Sequence, residues 1–129
     1  MKAETAIKIM LSLIMGIMLF HLSIVFKIIP YEITWGGRLT NDSEMHVFEG
    51  ISIAINLFLG FILLVRGKYI RQMVSVKFAN VVLWIFFGLF FLNTIGNIFA
   101  KTNFEKSFAL LTLASSILIW IILKGKKVE

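Results

Sequence analysis

The apolar positions of this chain fall into four long blocks, with neither the stripes of an amphipathic helix nor the alternation of a half-buried strand. "IMLSLIMGIMLFHLSIVFKII" runs from Ile9 to Ile29 and "VFEGISIAINLFLGFILLV" from Val47 to Val65. "FANVVLWIFFGLFFLNTIGNIFA" follows from Phe78 to Ala100, and "SFALLTLASSILIWIIL" from Ser107 to Leu123. As helices, segments of this length reach about 25–35 Å, the thickness of a bilayer's hydrocarbon core. Helix is the required form, because an open strand in lipid leaves its backbone groups unpaired. Absence of strict in–out alternation excludes a β-barrel. The pattern predicts an all-α, polytopic membrane protein: a four-transmembrane-helix bundle forming one domain over residues 1–129, with a long structured loop between helices 1 and 2. The first block has too long an apolar core for a cleaved signal peptide and lacks an A-x-A-like site after it, so it reads as a retained span.

Composition supports the same class. Hydrophobic residues make up 59% of the 129 and charged residues 16%, against roughly 25% charged in globular domains. The net charge of +6 could suggest nucleic acid, but the lysines and arginines sit at block ends, where headgroups meet them. Membrane lipids are therefore the expected partners, and nucleic acid is not. Nine of the 13 basic residues fall on the side of Lys2, Lys8, the 66–77 loop and the C-terminus; four (Lys27, Arg38, Lys101, Lys106) fall on the other. That bias puts both termini in the cytoplasm of a multi-pass cell-membrane protein, and residues 31–50 outside. With no cysteine, disulfide exchange and thiolate metal sites are excluded.

Given that orientation, the polar side chains gather by depth. His21 lies about 12 Å below the outer boundary, Glu49 about 3 Å, Asn56 about 14 Å, and Asn97 and Asn93 about 5 and 10 Å. Thr112 and Ser115 enter at roughly 8 and 12 Å. The inner halves carry little that is polar except Trp84 and Trp120, which suit an interfacial belt. Asn93 and Asn97, four apart, share one helix face. A buried asparagine ordinarily bonds helix to helix, the reading we adopt for Asn80. An ionisable residue inside a span tends to line a cavity or pair with another, so His21 and Glu49 favour an outward-facing polar cavity. Glu49 also has a simpler account as a first-turn acid at a helix N-terminus. The pairs Ser12/Gly16, Gly50/Ala54 and Gly96/Ala100 are spaced for close helix packing.

Between the first two blocks lies "YEITWGGRLTNDSEMHVFEG", residues 31–50, with four of the seven acids. Pro30 stops the first span. Asp42 or Ser43 can cap the second, starting it near Glu44 and placing His46 and Glu49 at i,i+3. A loop of this length is long for neighbouring helices. We expect it to fold over the outer mouth, with Trp35 dipping toward lipid and Arg38 pairing with Glu32, Glu44 or Glu49. The expected ligand-binding set is His21, Trp35, Arg38, His46, Glu49, Asn56, Asn93 and Asn97. Two histidines at different depths argue against zinc or haem, and no metal or cofactor is expected, although Glu44, His46 and Glu49 are the one carboxylate–imidazole group to examine.

"PYEITWGGRL", "EMHVFE", "LNTIGN" and "FEK", in that order, resemble a family of small four-span integral membrane proteins of bacteria with no assigned activity. The resemblance covers most of the chain. It implies the span boundaries and a bacterial inner membrane, and it implies no function. Three functions stay open. The first is binding or transport of a small amphipathic or lipid-like molecule in the outer cavity, with a homodimer if transport is involved. The second is an intramembrane enzyme using His21 with Glu49 or His46 as acid and base, against which stands the lack of a strong nucleophile. The third is an accessory subunit of a larger membrane complex. A channel fits poorly, since a pore needs polar residues along its whole length.

Overall fold

A computed structural model describes residues 1–34, 38–100 and 102–125. It is all-helical: α1 (Ala3–Val25), a single 3₁₀ turn (Tyr31–Ile33), α2 (Asp42–Arg66), α3 (Val76–Ile98) and α4 (Asn103–Lys124). All four α-helices are long and apolar enough to cross a membrane. They close into a ring in which each packs on its neighbours in sequence and α1 returns onto α4; the α3–α4 contact is the most extensive.

Polar residues outside the apolar blocks decide where the helices begin. The Asn41 side chain accepts the Glu44 backbone N–H at 2.8 Å, so Asn41 caps α2 in place of the expected Asp42 or Ser43. Ser75 caps α3 through Phe78 N–H, and Thr102 caps α4 through Glu105 N–H, both at 3.1 Å. At the other end, α1 stops at Val25, four residues before the apolar block does. Lys27 takes a left-handed conformation (φ 61°), Ile28 N–H reaches Ser23 C=O at 2.8 Å and Lys27 N–H reaches Ile24 C=O at 3.0 Å. That is a Schellman closure with lysine where glycine is usual. Lys68 (φ 60°) repeats it after α2, with Tyr69 N–H bonded to Leu64 C=O at 2.9 Å.

The core fills only one half of the bundle. Ala6, Ile7, Met10 and Ile14 of α1 meet Leu59, Ile62 and Leu63 of α2, Ala79 to Phe86 of α3 and Leu118 to Ile122 of α4. All of these lie toward the end that carries the termini and the 67–75 loop. A second, smaller cluster of Ile24, Leu39 and Met45 seats the α1–α2 loop at the opposite end. Between the two, burial lapses in every helix at the same level: α1 has no buried residue from 15 to 23, α2 none from 50 to 58, α3 none from 87 to 93 and α4 none from 106 to 114. Four interruptions at one depth make a hollow.

The small-residue pairs do not provide helix contacts. A β-carbon added at Gly16, Gly50 or Gly96 would meet nothing within 4 Å, so these glycines face open space. Close backbone approach occurs at Gly125 instead, where a β-carbon would lie 2.5 Å from that of Ala3.

Candidate functional site

The hollow has two connected chambers. The deeper, about 370 Å³, draws residues from all four helices: Ile17, His21, Asn56, Phe86, Asn93 and Thr112 among them. The other, about 620 Å³, opens toward the α1–α2 loop and is lined by Thr34, Arg38, Glu49, Glu105 and Phe99 among others. Phe20, His21, Asn93, Asn97 and Phe108 face both, so the two are one continuous space. Ligand pockets usually enclose about 300–1,000 Å³. Each chamber falls in that range.

At its centre is an imidazole–carboxylate pair. Glu49 of α2 is fully buried (0% exposed), and its Oε2 is hydrogen-bonded to Nδ1 of His21 on α1. With the carboxylate accepting and Nδ1–H donating, the second ring nitrogen, Nε2, is left as an acceptor; among the described residues no group bonds to it. Phe20 stands edge-on to the ring at 5.6 Å, and Phe104 and Phe108 of α4 pack on Phe20. The ring is thereby fixed by one bond and by aromatic packing.

The opposite wall belongs to α3. Asn93 and Asn97 both line the space, one turn apart, and among the described residues neither side-chain amide has a hydrogen-bond partner. Helix-to-helix bonding is carried by other residues. Thr94 and Thr112 hydroxyls bond across α3–α4 at 2.8 Å, and Ser116 Oγ reaches Phe87 C=O at 3.4 Å. Asn56 lines the deeper chamber, but its amide donates to Ser52 C=O of its own helix at 2.8 Å.

The loop shapes the mouth. Leu39 and Thr34 are buried, the latter with its hydroxyl on Tyr31 C=O at 2.8 Å. Lys27 pairs with Asp42, which ties the start of the loop to the start of α2. The Asp42 hydrogen bond, and then its charge, hold the Lys27 ammonium above the ordinary lysine value of 10.5. Arg38 is exposed at the mouth and, among the described residues, forms no ion pair; the expected partnership with Glu32, Glu44 or Glu49 does not form. His46 is exposed and lines neither chamber, although the i,i+3 spacing puts it on the same side of α2 as Glu49. Glu44, His46 and Glu49 therefore do not converge, and among the described residues no three His, Asp or Glu side chains gather as a metal site. Trp35 lies outside the described residues.

Sequence reasoning missed one polar centre. Arg66, the last residue of α2, is only 4% exposed and sits at the end away from the chamber. Its guanidinium donates to Asn80 Oδ1 at 3.3 Å, Ile122 C=O at 3.1 Å and Gly125 C=O at 3.4 Å. One cation thus joins α2, α3 and the C-terminal carbonyls of α4, where the helix dipole favours positive charge. Asn80 serves as the inter-helix bond expected of it. Nearby, the Lys124 ammonium lies 5.8 and 6.0 Å from the Trp84 and Trp120 rings.

By length, composition and packing the chain is a multi-pass membrane protein of the four-helix-bundle class. No family model, curated protein or solved structure matches it.

Proposed function

We propose that this protein binds a small amphipathic or lipid-like molecule in the chamber, and carries it between leaflets if a second copy completes the path. One observation supports this above others. Asn93, Asn97 and Nε2 of His21 are hydrogen-bonding groups lining a hollow between membrane-spanning helices, and among the described residues none of them has a partner. These groups face the open chamber, and helix bonding is already met by other side chains, so they are available to a ligand. A ligand with a polar head and an apolar body fits the two surroundings: Arg38, His21 and the two asparagines above, and Ile17, Ile55, Phe86, Leu89 and Leu111 below.

The nine-to-four distribution of basic residues supports a mouth facing away from the cytoplasm, with both termini inside. The resemblance described above supports a bacterial inner membrane as the location. Native mass spectrometry from lipid nanodiscs tests the reading: retained single-chain amphiphile in the parent and its loss in Asn93→Leu/Asn97→Leu are expected. Equal occupancy in both proteins refutes it.

The His21–Glu49 pair favours a second reading, an intramembrane enzyme with Nε2 as the base. An amphiphile recovered chemically changed in the parent, and unchanged with His21→Ala, would select that reading over simple binding.

A further inference from the structure

The deeper chamber opens sideways. Of the residues that line it, only Ile55 of α2 and Leu89 and Asn93 of α3 are exposed, and those from α1 and α4 are all partly buried. On each of these two helices the change comes within about one turn. Leu59 is fully buried and Ile55 is 45% exposed; Phe86 is 7% exposed and Leu89 46%. Toward the termini α2 and α3 share a core of Leu59, Ile62, Leu63, Val82 and Leu83, and Arg66 bonds Asn80 at 3.3 Å. Toward the mouth, among the described residues, no hydrogen bond or ion pair joins Ser52, Ile55 or Asn56 to α3. The other three seams are tied at that level. Thr94 bonds Thr112 across α3–α4, Phe20 packs on Phe104 and Phe108 across α1–α4, and His21 bonds Glu49 across α1–α2. A slot therefore remains between α2 and α3, which have the least extensive of the four neighbouring contacts.

We infer, on the reading that the chamber is a ligand site, that its occupant is a glycerolipid of the mouth-side leaflet, which enters sideways through the α2–α3 slot in the orientation it already has in the bilayer. Polarity along the slot matches that orientation. Ile55, Phe86 and Leu89 present hydrocarbon at depth, and Asn93, Gly96 and Asn97 follow toward the mouth. A lipid of this leaflet carries its chain at the first level and its polar part at the second, so it enters without turning over. α3 is about 35 Å long against a hydrocarbon core of about 30 Å, and Asn97 and Asn93 lie about 1.5 and 7.5 Å inside its mouth end. At that depth the glycerol esters of a bilayer give way to acyl chain. Each carboxamide offers two N–H donors and an acceptor oxygen. An ester carbonyl accepts from the first and a glycerol hydroxyl donates to the second, whereas a plain hydrocarbon satisfies neither. The slot also keeps the chain among apolar groups throughout, while passage by way of the mouth would carry it through water.

A monoacylglycerol with a diazirine at mid-chain, placed in nanodiscs and activated by light, reports the route through the residues it labels, identified by mass spectrometry. Ile17, on the α1 wall of the chamber, should be labelled in the parent, and far less by hexadecane carrying the same diazirine. Gly96→Phe and Leu89→Trp each put a ring in the slot and should lose the Ile17 label. A β-carbon at Gly96 meets nothing within 4 Å, so the first change disturbs no packing. Gly16→Phe, at an exposed glycine that lines neither chamber, should keep the label. If either slot variant, folded by circular dichroism, labels Ile17 as the parent does, the chain enters elsewhere; the inference is overturned and the chamber remains a ligand site. Equal labelling of Ile17 by the alkane overturns the glycerolipid class in the same way. If oxidation of Leu89→Cys links two chains in the bilayer, a second copy covers the slot and the inference is overturned. If neither probe labels any chamber residue of the parent, this inference and the proposed function fall together.

Discussion

Breaking the buried pair one side at a time should cost more than removing it whole. Glu49 is wholly enclosed, whereas the His21 side chain keeps 13% of its surface open to the chamber, so desolvation falls mainly on the carboxylate. In His21→Phe the ring volume stays and the charged group loses its imidazole donor; a hydrogen bond to a charged group is worth about 1.5–3 kcal/mol. We expect about 2 kcal/mol of destabilisation. Glu49→Leu leaves an imidazole that the chamber side can still hydrate, and should cost about 1 kcal/mol. His21→Phe/Glu49→Leu places two apolar side chains together in an apolar bundle, where replacing both partners is often near neutral. The double variant should therefore lie about 2 kcal/mol above the sum of the singles, with total destabilisation under about 1 kcal/mol. Equilibrium unfolding in mixed micelles, followed by helical circular dichroism, measures all four corners of this cycle. Additive losses would refute the reasoning, since they would mean that the two side chains do not act as a pair.

Three further outcomes follow from the same geometry. Lys68→Gly should raise stability by about 0.5–1 kcal/mol, because a left-handed residue is strained in any side chain but glycine; a lower unfolding midpoint would contradict the Schellman closure. Asn80→Leu should cost about 1 kcal/mol or more by taking a partner from the buried Arg66 guanidinium, and Arg66→Lys, which cannot span α2, α3 and α4, should cost more still; thermal unfolding in detergent compares them. Lys27 should titrate above 10.5, and Asp42→Asn should bring its midpoint down, as read by lysine side-chain NMR. Because folding raises that value, the Lys27 contribution to loop docking is complete below pH 10.5 and fades as pH climbs through the elevated midpoint.

Hydropathy alone made the four spans legible, since nothing else accommodates such blocks. Their ends were less so. Pro30 marks a stop, yet α1 closes at Val25 because Lys27 adopts a conformation that its sequence neighbours do not announce. At α2 the helix starts at Asp42, ahead of the apolar block, and this shift matters to the site. Counted from the observed helix ends, Glu49 lies about 10 Å into α2 and His21 about 6 Å inside the end of α1, so Glu49 is no longer an edge residue and the two can meet.

The convergence of His21, Glu49, Asn56, Asn93 and Asn97 was legible from depth alone. The pairing of His21 with Glu49 depended on helix rotation, which depth does not supply. Arg66 was unreadable for a related cause. An arginine ending an apolar block looks like a headgroup anchor, and only the arrival of α4's C-terminal carbonyls beside it reveals a buried tie. The glycine motifs misled because close packing here is set at Gly125 and Ala3, outside any small-x-x-x-small pair.

The absence of cysteine permits a direct probe of the hollow. Single cysteines placed at Asn93, Asn97 and Thr112 should react with a water-soluble, membrane-impermeant thiol reagent, and saturating amphiphile should protect them. Cysteines at Leu92 and Leu110, which face away at 64% and 75% exposure, should stay unlabelled in the bilayer. If the first three prove as inert as the last two, there is no solvent-connected chamber between these helices, and the account is wrong.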